Sequence, residues 1–266
     1  MDIARMTVEQ VANLLTQNDV PAHIINMLRN DSRLSIIKLL HKWQQKQLAN
    51  EREKDRVQSL YIHEHSLTGQ GYELIAGVDE AGRGPLAGPV VIAAVILPLG
   101  CHIPLLNDSK KLSAHQRMEL YNAIKNVAIA ISHSVIDVTR IDQMNIYQAT
   151  VTGMYEAIAG LYPLPQAVLI DAVPLHNLSV PSLSLIGGDA ISASIAAASI
   201  IAKVERDQIM DELDMRFPMY GFTRHKGYGT REHLDALNKY GPCIIHRRSF
   251  EPIKSWEAKS NECHQY

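Results

Sequence analysis

Two apolar, β-favouring stretches, Leu74-Ile75-Ala76-Gly77-Val78-Asp79 and Pro89-Val90-Val91-Ile92-Ala93-Ala94-Val95-Ile96-Leu97, are separated only by Glu80-Ala81-Gly82-Arg83-Gly84-Pro85-Leu86-Ala87-Gly88. A link this short cannot carry the crossover that parallel neighbours require, so the two stretches are expected to pair antiparallel. Gly82-x-Gly84-x-x-Ala87 after a strand formally matches a dinucleotide-binding fingerprint. That fingerprint needs a helix directly after its glycines, and Pro85, Pro89 and the β-branched run that follows do not supply one.

Further along, a helix is expected to carry Met118, Leu120, Tyr121 and Ile124, followed by a third strand from Val127 to Val135 and a helix from about Ile141 to Leu161. Ala167-Val168-Leu169-Ile170-Asp171 reads as a short buried strand, and Leu183 to Ile186 as a fifth, ended by Gly187-Gly188. An Ala- and Ser-rich helix is expected from Ala190 to about Arg216, with side chains small enough to lie close against a sheet. The expected fold class is therefore α/β, a mixed five-stranded sheet flanked by helices.

Residues 1–70 differ in character and read as a helical N-terminal extension. Thr7 and Gln10 form a possible capping box, Asn18 to Pro21 breaks the first helix, Ile24, Ile25 and Leu28 begin a second, and a longer helix runs from Leu34 into the charge-mixed Gln44 to Arg56. Its function is not legible from the residues; packing on the main domain, a protein partner and nucleic acid all stay open. The main domain is expected over residues 71–252, with a flexible tail over 253–266.

At 266 residues and 46% apolar composition the chain can bury a real core. No stretch approaches the roughly 20 apolar residues of a membrane span, and the start lacks the apolar run of a signal peptide, so the cytoplasm is the expected compartment. Cys101, Cys243 and Cys263 are too scattered for a disulfide framework or a zinc knuckle. The net charge of −2 hides an excess of four positive charges between Gly221 and Lys254. A solvated basic surface or a face that meets a polyanion would both account for it.

The chemistry lies with four acids at element ends: Asp79 and Glu80 after the first strand, Asp171 after the fourth, and Asp189 before a helix. Carboxylate oxygens are the hard ligands that Mg²⁺ and Mn²⁺ prefer. Each acid also has a structural alternative: Asp189 as an N-cap, Asp171 as a turn cap, Asp79 as a partner of Arg83. Against these stands the cost of ending an apolar strand on an unpaired carboxylate, which a bound cation would offset. Glu80 can join Asp79 only if the strand is already ending, because successive side chains alternate faces. Gly82 and Gly84 would let main-chain N–H groups approach an anionic substrate. His225-Lys226-Gly227-Tyr228-Gly229-Thr230 could hold a sugar-phosphate backbone with Tyr228 stacked on it, or form an ordinary turn with Tyr228 in the local core. His225, His233 and His246 fit no zinc spacing and read as ordinary hydrogen-bonded or surface histidines.

Asp79-Glu80-Ala81-Gly82-Arg83-Gly84-Pro85, Asp108-Ser109-Lys110, Ile170-Asp171, Gly188-Asp189, the block Ala196 to Asp207 and His225 to Thr230, in this order from about residue 72 to 252, closely resemble ribonuclease HII, the bacterial type 2 ribonuclease H. The resemblance implies a ribonuclease H-like fold and cleavage of RNA in RNA–DNA hybrids, including at a single ribonucleotide embedded in duplex DNA. It implies that Asp79, Glu80, Asp171 and Asp189 hold two divalent ions, Mn²⁺ or Mg²⁺, for phosphodiester hydrolysis. It further implies that Gly82, Arg83 and Gly84 read the 2′-hydroxyl at the RNA–DNA junction, that Tyr228 packs on the sugar beyond it, and that Lys110 lies near the substrate backbone. The sister family, ribonuclease HIII, usually has Ser-Gly-Lys-Gly at the turn and a sheet-containing N-terminal domain, so Gly82-Arg83-Gly84 and the helical start favour HII. Gly187 replaces a lysine common in the family, which removes one possible phosphate contact. The competing readings are a non-catalytic nucleic-acid binder on the same fold or a clamp-binding repair adaptor, and a related nuclease such as a resolvase or integrase. A monomer is the default assembly.

Overall fold

The computed structural model describes residues 5–16 and 20–256. Asn18 and Asp19 of the expected helix break, Cys263, and the tail beyond residue 256 lie outside the described residues. The chain forms two compact units, Met1–Arg56 and Val57–Tyr266. The division falls inside a helix, and the segment between it and residue 70 belongs to the second unit.

In the first unit, α1 (Val8–Leu15) starts on a complete capping box between Thr7 and Gln10, as the sequence suggests. α2 (Ala22–Arg29) follows Pro21, and α3 runs from Leu34 to Ser59. Val11, Leu14, Leu15, Ile24, Ile25, Leu28, Ile36 and Leu40 form its core.

The second unit opens with α4 (Ile62–Thr68) and contains a single sheet built from β1 (Ile75–Ala81), β2 (Val90–Ile96), β3 (Ala130–Ile136), β4 (Ala167–Asp171) and β5 (Ser182–Leu185). The strand order is β3-β2-β1-β4-β5. β1 pairs antiparallel with β2, as expected, and parallel with β4; β2–β3 is antiparallel and β4–β5 parallel. Val90 to Ile96 is buried throughout because both faces of β2 are covered. Its Val90, Ile92, Ala94 and Ile96 pack towards the core with residues of α6 (Val138–Ala159). Its Ala93 and Val95 pack with α5 (Ala114–Val127) and α7 (Ala193–Arg216). α7 lies so close to β1 that a Cβ on Gly77 would sit 2.0 Å from the Ser194 carbonyl carbon. The missing side chain of Gly77 is what permits this approach.

Element ends depart from the sequence reading at four places. β1 does not stop at Asp79: its ladder with β2 continues to Ala81↔Val91, although the ladder with β4 ends at Val78↔Ile170. α5 takes in Val127, so β3 begins only at Ala130. α6 starts earlier, at Val138, because the Asp137 side chain accepts the Arg140 N–H. α7 starts later than Ala190: Gly188–Ala190 form a 3-10 turn, and Ser192 is the N-cap, accepting the Ile195 N–H.

A C-terminal lobe contains α8 (Phe222–His225) and α9 (Arg231–Tyr240), packed around Leu86, Ala87, Met210, Tyr220, Phe222, Leu237 and Ile253. The glycine-rich segment after β1 is stitched into it. Leu86 N–H donates to Gly227 O, Gly88 N–H to Ile245 O and Arg247 N–H to Leu86 O. Ile253 is buried, so residues 253–256, assigned to the tail by sequence, form a helical turn on this lobe.

Candidate active site

Asp79 and Asp171 each stand one residue beyond Val78↔Ile170, the last registered pair of β1 and β4, and so emerge together on the α7 side of the sheet. They line a cavity of about 210 Å³ with Glu80, Gly82, Arg83 and Gly84. Lys110 and Tyr228 border the same cavity, so eight of the nine site residues expected from sequence meet there. Asp189, the ninth, is not in its wall; it lies at the adjoining 3-10 turn, with its Oδ2 3.5 Å from Lys110 Nζ. Glu80 reaches the cavity although β1 continues through it, so the strand need not end for the two acids to share a site.

Asp79 is 3% exposed. Burial, reinforced by the charges of Glu80 and Asp171, holds its carboxyl well above the usual range, while the Ser199 hydroxyl and the Glu80 N–H act the other way. Burial also raises Glu80, against the opposing effect of Arg83, whose Nη1 is 3.3 Å from Glu80 Oε1. Arg83 therefore pairs with Glu80 and not with Asp79. Asp189 is raised by burial and by the charge of Asp108; it is not a helix cap, since Ser192 has that role. For Lys110, burial disfavours the charge, but the carboxylates of Asp189, Asp79 and Asp108 outweigh it and raise the ammonium. Asp171 accepts the Gly188 N–H at 2.7 Å.

Among the described residues, no three acids, histidines or cysteines converge tightly enough to enclose an ion as they stand. Three of the four acids are instead turned to protein partners: Glu80 to Arg83, Asp189 to Lys110 and Asp171 to Gly188. The donor chemistry nevertheless suits a hard divalent cation. Glu80 Oε2 is buried with no hydrogen-bond partner, and Asp79 is buried beside two like charges. A cation offsets both costs.

Sequence reasoning assigned no role to four groups that border or support this cavity. Lys203 lies in its wall, 2.6 Å from Asp207, with burial working against its charge. Ser199 shares a hydrogen bond with Ser109 at 2.9 Å, which ties the Lys110 turn to α7. Arg206 and Arg247 lie beneath the glycine turn. Lys203 and Arg206 fall in the block Ala196 to Asp207, where their α7 spacing towards the acids was the available signal; Arg247 gave none.

The three histidines are buried rather than superficial. His225 and His233 stack at 4.5 Å, and His233 Nε2 meets His246 Nε2 at 3.0 Å. The Tyr228 carbonyl can only accept, so His233 Nδ1 carries the proton; His233 Nε2 then accepts from His246, whose Nδ1 accepts the Cys243 N–H. Burial lowers both His233 and His246 to about 4, which keeps this chain neutral. The basic face expected over Gly221–Lys254 is largely consumed. Arg247 is buried, Arg224 pairs with Glu232, Lys226 with Asp211, and Arg231 lies 3.9 Å from Asp235.

Comparison with known proteins adds to this geometry. The sequence model of a family described as Ribonuclease HII matches residues 76–253, and that of a Ribonuclease HII N-terminal domain matches residues 7–68. The helical extension thus corresponds to a domain found within that family. A "Ribonuclease HII" from Enterococcus faecalis is 51% identical over 241 residues, covering 91% of this chain and 94% of its own. One from Acetivibrio thermocellus is 46% identical over 250 residues, covering 93% and 98%. Among solved structures, the ribonuclease H2 of Pyrococcus horikoshii OT3 superposes with a TM-score of 0.61 at 24% identity, over 71% of this chain and 99% of that one, which shows the shared fold.

Proposed function

Since the chain belongs to the ribonuclease HII family and is thereby a ribonuclease H-type endoribonuclease, we propose that it cuts RNA–DNA hybrids and duplex DNA on the 5′ side of an embedded ribonucleotide, leaving 3′-hydroxyl and 5′-phosphate ends. The observation that carries this reading is the juxtaposition of buried acids with the Gly82-Arg83-Gly84 turn in one cavity. One group of residues suits phosphodiester hydrolysis, and the other places main-chain donors where a sugar hydroxyl can be met.

Asp79, Glu80, Asp171 and Asp189 would hold two divalent ions, Mg²⁺ or Mn²⁺. When bound, such ions supply Lewis-acid polarisation of the phosphodiester and of the attacking water. The chain's own residues do the rest. Arg83, 40% exposed along its side chain and paired with Glu80, stands at the mouth, where it can meet a phosphate. Lys110, with an exposed side chain, is placed for the substrate backbone. Tyr228 offers a half-exposed ring beside Gly84, where a Cβ would lie 3.8 Å from Tyr228 Cε1. That ring can pack on the sugar beyond the junction and help sense the same 2′-hydroxyl. The cellular role that follows is removal of ribonucleotides from DNA. Among the described residues, no helix is long and apolar enough to cross a membrane, in keeping with such a role.

The test is an end-labelled DNA duplex containing one ribonucleotide, incubated with Mg²⁺, Mn²⁺ or EDTA beside an all-DNA duplex. Cutting 5′ to the ribonucleotide, abolished by EDTA and absent from the control duplex, is the expected result. Cutting of both duplexes, or cutting that survives chelation, overturns the reading.

A further inference from the structure

Two of the largest wholly buried side chains are arginines, Arg206 of α7 (1% exposed) and Arg247 (0% exposed), and the chemistry above uses neither. Burial disfavours the charge of both. Such groups normally sit on carboxylates, because an unpaired buried charge is costly. Here their hydrogen bonds go to backbone carbonyls. Arg247 donates to Gly82 O (2.6 Å), Arg83 O (2.9 Å) and Gly88 O (3.0 Å). Arg206 donates to Pro89 O (3.0 Å), Ala87 O (3.2 Å) and Lys226 O (3.0 Å).

Three of these carbonyls, those of Gly82, Arg83 and Lys226, belong to the Gly82–Gly84 and Lys226–Tyr228 segments at the cavity, and the other three lie in the stretch that leads into β2. A trans peptide sets its C=O and the following N–H on opposite sides. Neither peptide within Gly82-Arg83-Gly84 is cis. Drawing the Gly82 and Arg83 carbonyls inward onto Arg247 therefore turns the Arg83 and Gly84 N–H groups outward, and neither N–H has a protein partner among the described residues. Arg206 couples this turn to the second segment. It grips Lys226 O, its Cζ lies 5.9 Å from the Tyr228 ring centre, and a Cβ on Gly82 would fall 2.0 Å from its Nε. Gly82, at φ +98°, thus satisfies both a left-handed backbone and direct contact with a guanidinium.

We propose that Arg247 and Arg206 are positioning residues that set the site's selectivity for a 2′-hydroxyl, Arg247 by aiming the two free N–H groups of the Gly82–Gly84 turn and Arg206 by fixing that turn relative to Tyr228. The proposal rests on the functional reading given above. Forked donors are essential to it: lysine keeps the positive charge under the turn but cannot hold three carbonyls in one plane. Charge and orientation can therefore be separated by experiment.

Full-length Arg247→Lys and Arg206→Lys are measured for KM on the duplex with one ribonucleotide and for Ki of the matching all-DNA duplex as competitor, with thermal melting as the check on folding. The ratio of Ki to KM is the selectivity. Each variant is expected to lower it about tenfold, the equivalent of losing one well-aligned hydrogen bond to the substrate, while Ki shifts by no more than about twofold. A folded variant in which KM and Ki rise together, or in which neither moves, shows the arginines to be structural only and overturns the proposal. If one variant does not fold, the other reads the same ratio from the opposite side of the turn. A wild-type protein whose KM is no lower than Ki would instead count against the functional reading itself.

Discussion

Asp79 shows the conflict between function and stability at the residue scale. Its carboxyl is buried one residue beyond the β1–β4 ladder, beside Glu80 and Asp171, and its folded-state pKa is raised. A carboxyl with a raised folded pKa contributes no penalty at low pH, where both folded and unfolded chains hold the proton. As pH rises through the unfolded value near 4, the unfolded chain ionises first and the folded state loses ground. Near neutral pH the acid therefore opposes folding until a cation balances it. Asp79→Asn is expected to remove most activity, on the order of 100-fold or more, because a carboxylate ligand is lost. In EDTA the same variant should melt no lower than wild type, and by this argument a few degrees higher. Differential scanning calorimetry with and without chelator, beside the cleavage assay, measures both; a variant that melts well below wild type in EDTA would show Asp79 to be a structural group.

At the scale of elements, the start of α7 governs where Asp189 can stand. Ser192 caps the helix, and its hydroxyl donates to Glu64 of α4, a buried carboxylate that also accepts the Ser194 N–H at 3.0 Å. Two elements distant in sequence thus share one helix end. Glu64→Ala is expected to destabilise the second unit by about 1–3 kcal/mol, since two hydrogen bonds are lost and the buried donors of Ser192 and Ser194 are left unpaired. Ser192→Ala should cost about 1 kcal/mol or more. Urea unfolding compares the two, and equal small effects would mean that α4 does not hold the α7 terminus. This cap also shows what sequence could and could not disclose. The strands were legible because Val90 to Ile96 is apolar on both faces, and Asp79 and Asp171 because each directly follows an apolar run. The α7 start was not, because Asp189 and Ser192 are both good caps and only the 3-10 turn at Gly188–Ala190 decides between them. Arg206 and Arg247 stayed hidden for a related reason: a basic residue reads as solvated unless the carbonyls that replace its water are already known.

For the whole molecule, charge and architecture bear on how it meets a polyanion. The net charge is −2, and most of the cations in the C-terminal lobe are buried or paired, which leaves few to neutralise phosphates. With two or three phosphate contacts, affinity for the hybrid should fall about ten- to hundredfold between 50 and 200 mM salt, well short of the 10³-fold or greater loss of proteins making six or more such contacts. Fluorescence anisotropy against salt concentration gives the slope, and a steep one would point to a basic surface contributed by residues outside the cavity. Architecture adds a different consequence. β1, which carries Asp79 and Glu80, is the innermost strand of β3-β2-β1-β4-β5 and stays laddered to β2 as far as Ala81, whereas the substrate-facing turn and the Lys226–Tyr228 loop lie outside every strand and are held by the guanidinium contacts of Arg247 and of Arg206 on α7. Local opening costs least where few ladders hold the backbone. Gentle heating or mild denaturant should then blunt this nuclease's judgement before it disarms its blade, and amide exchange should report the turn opening while β1 is still closed.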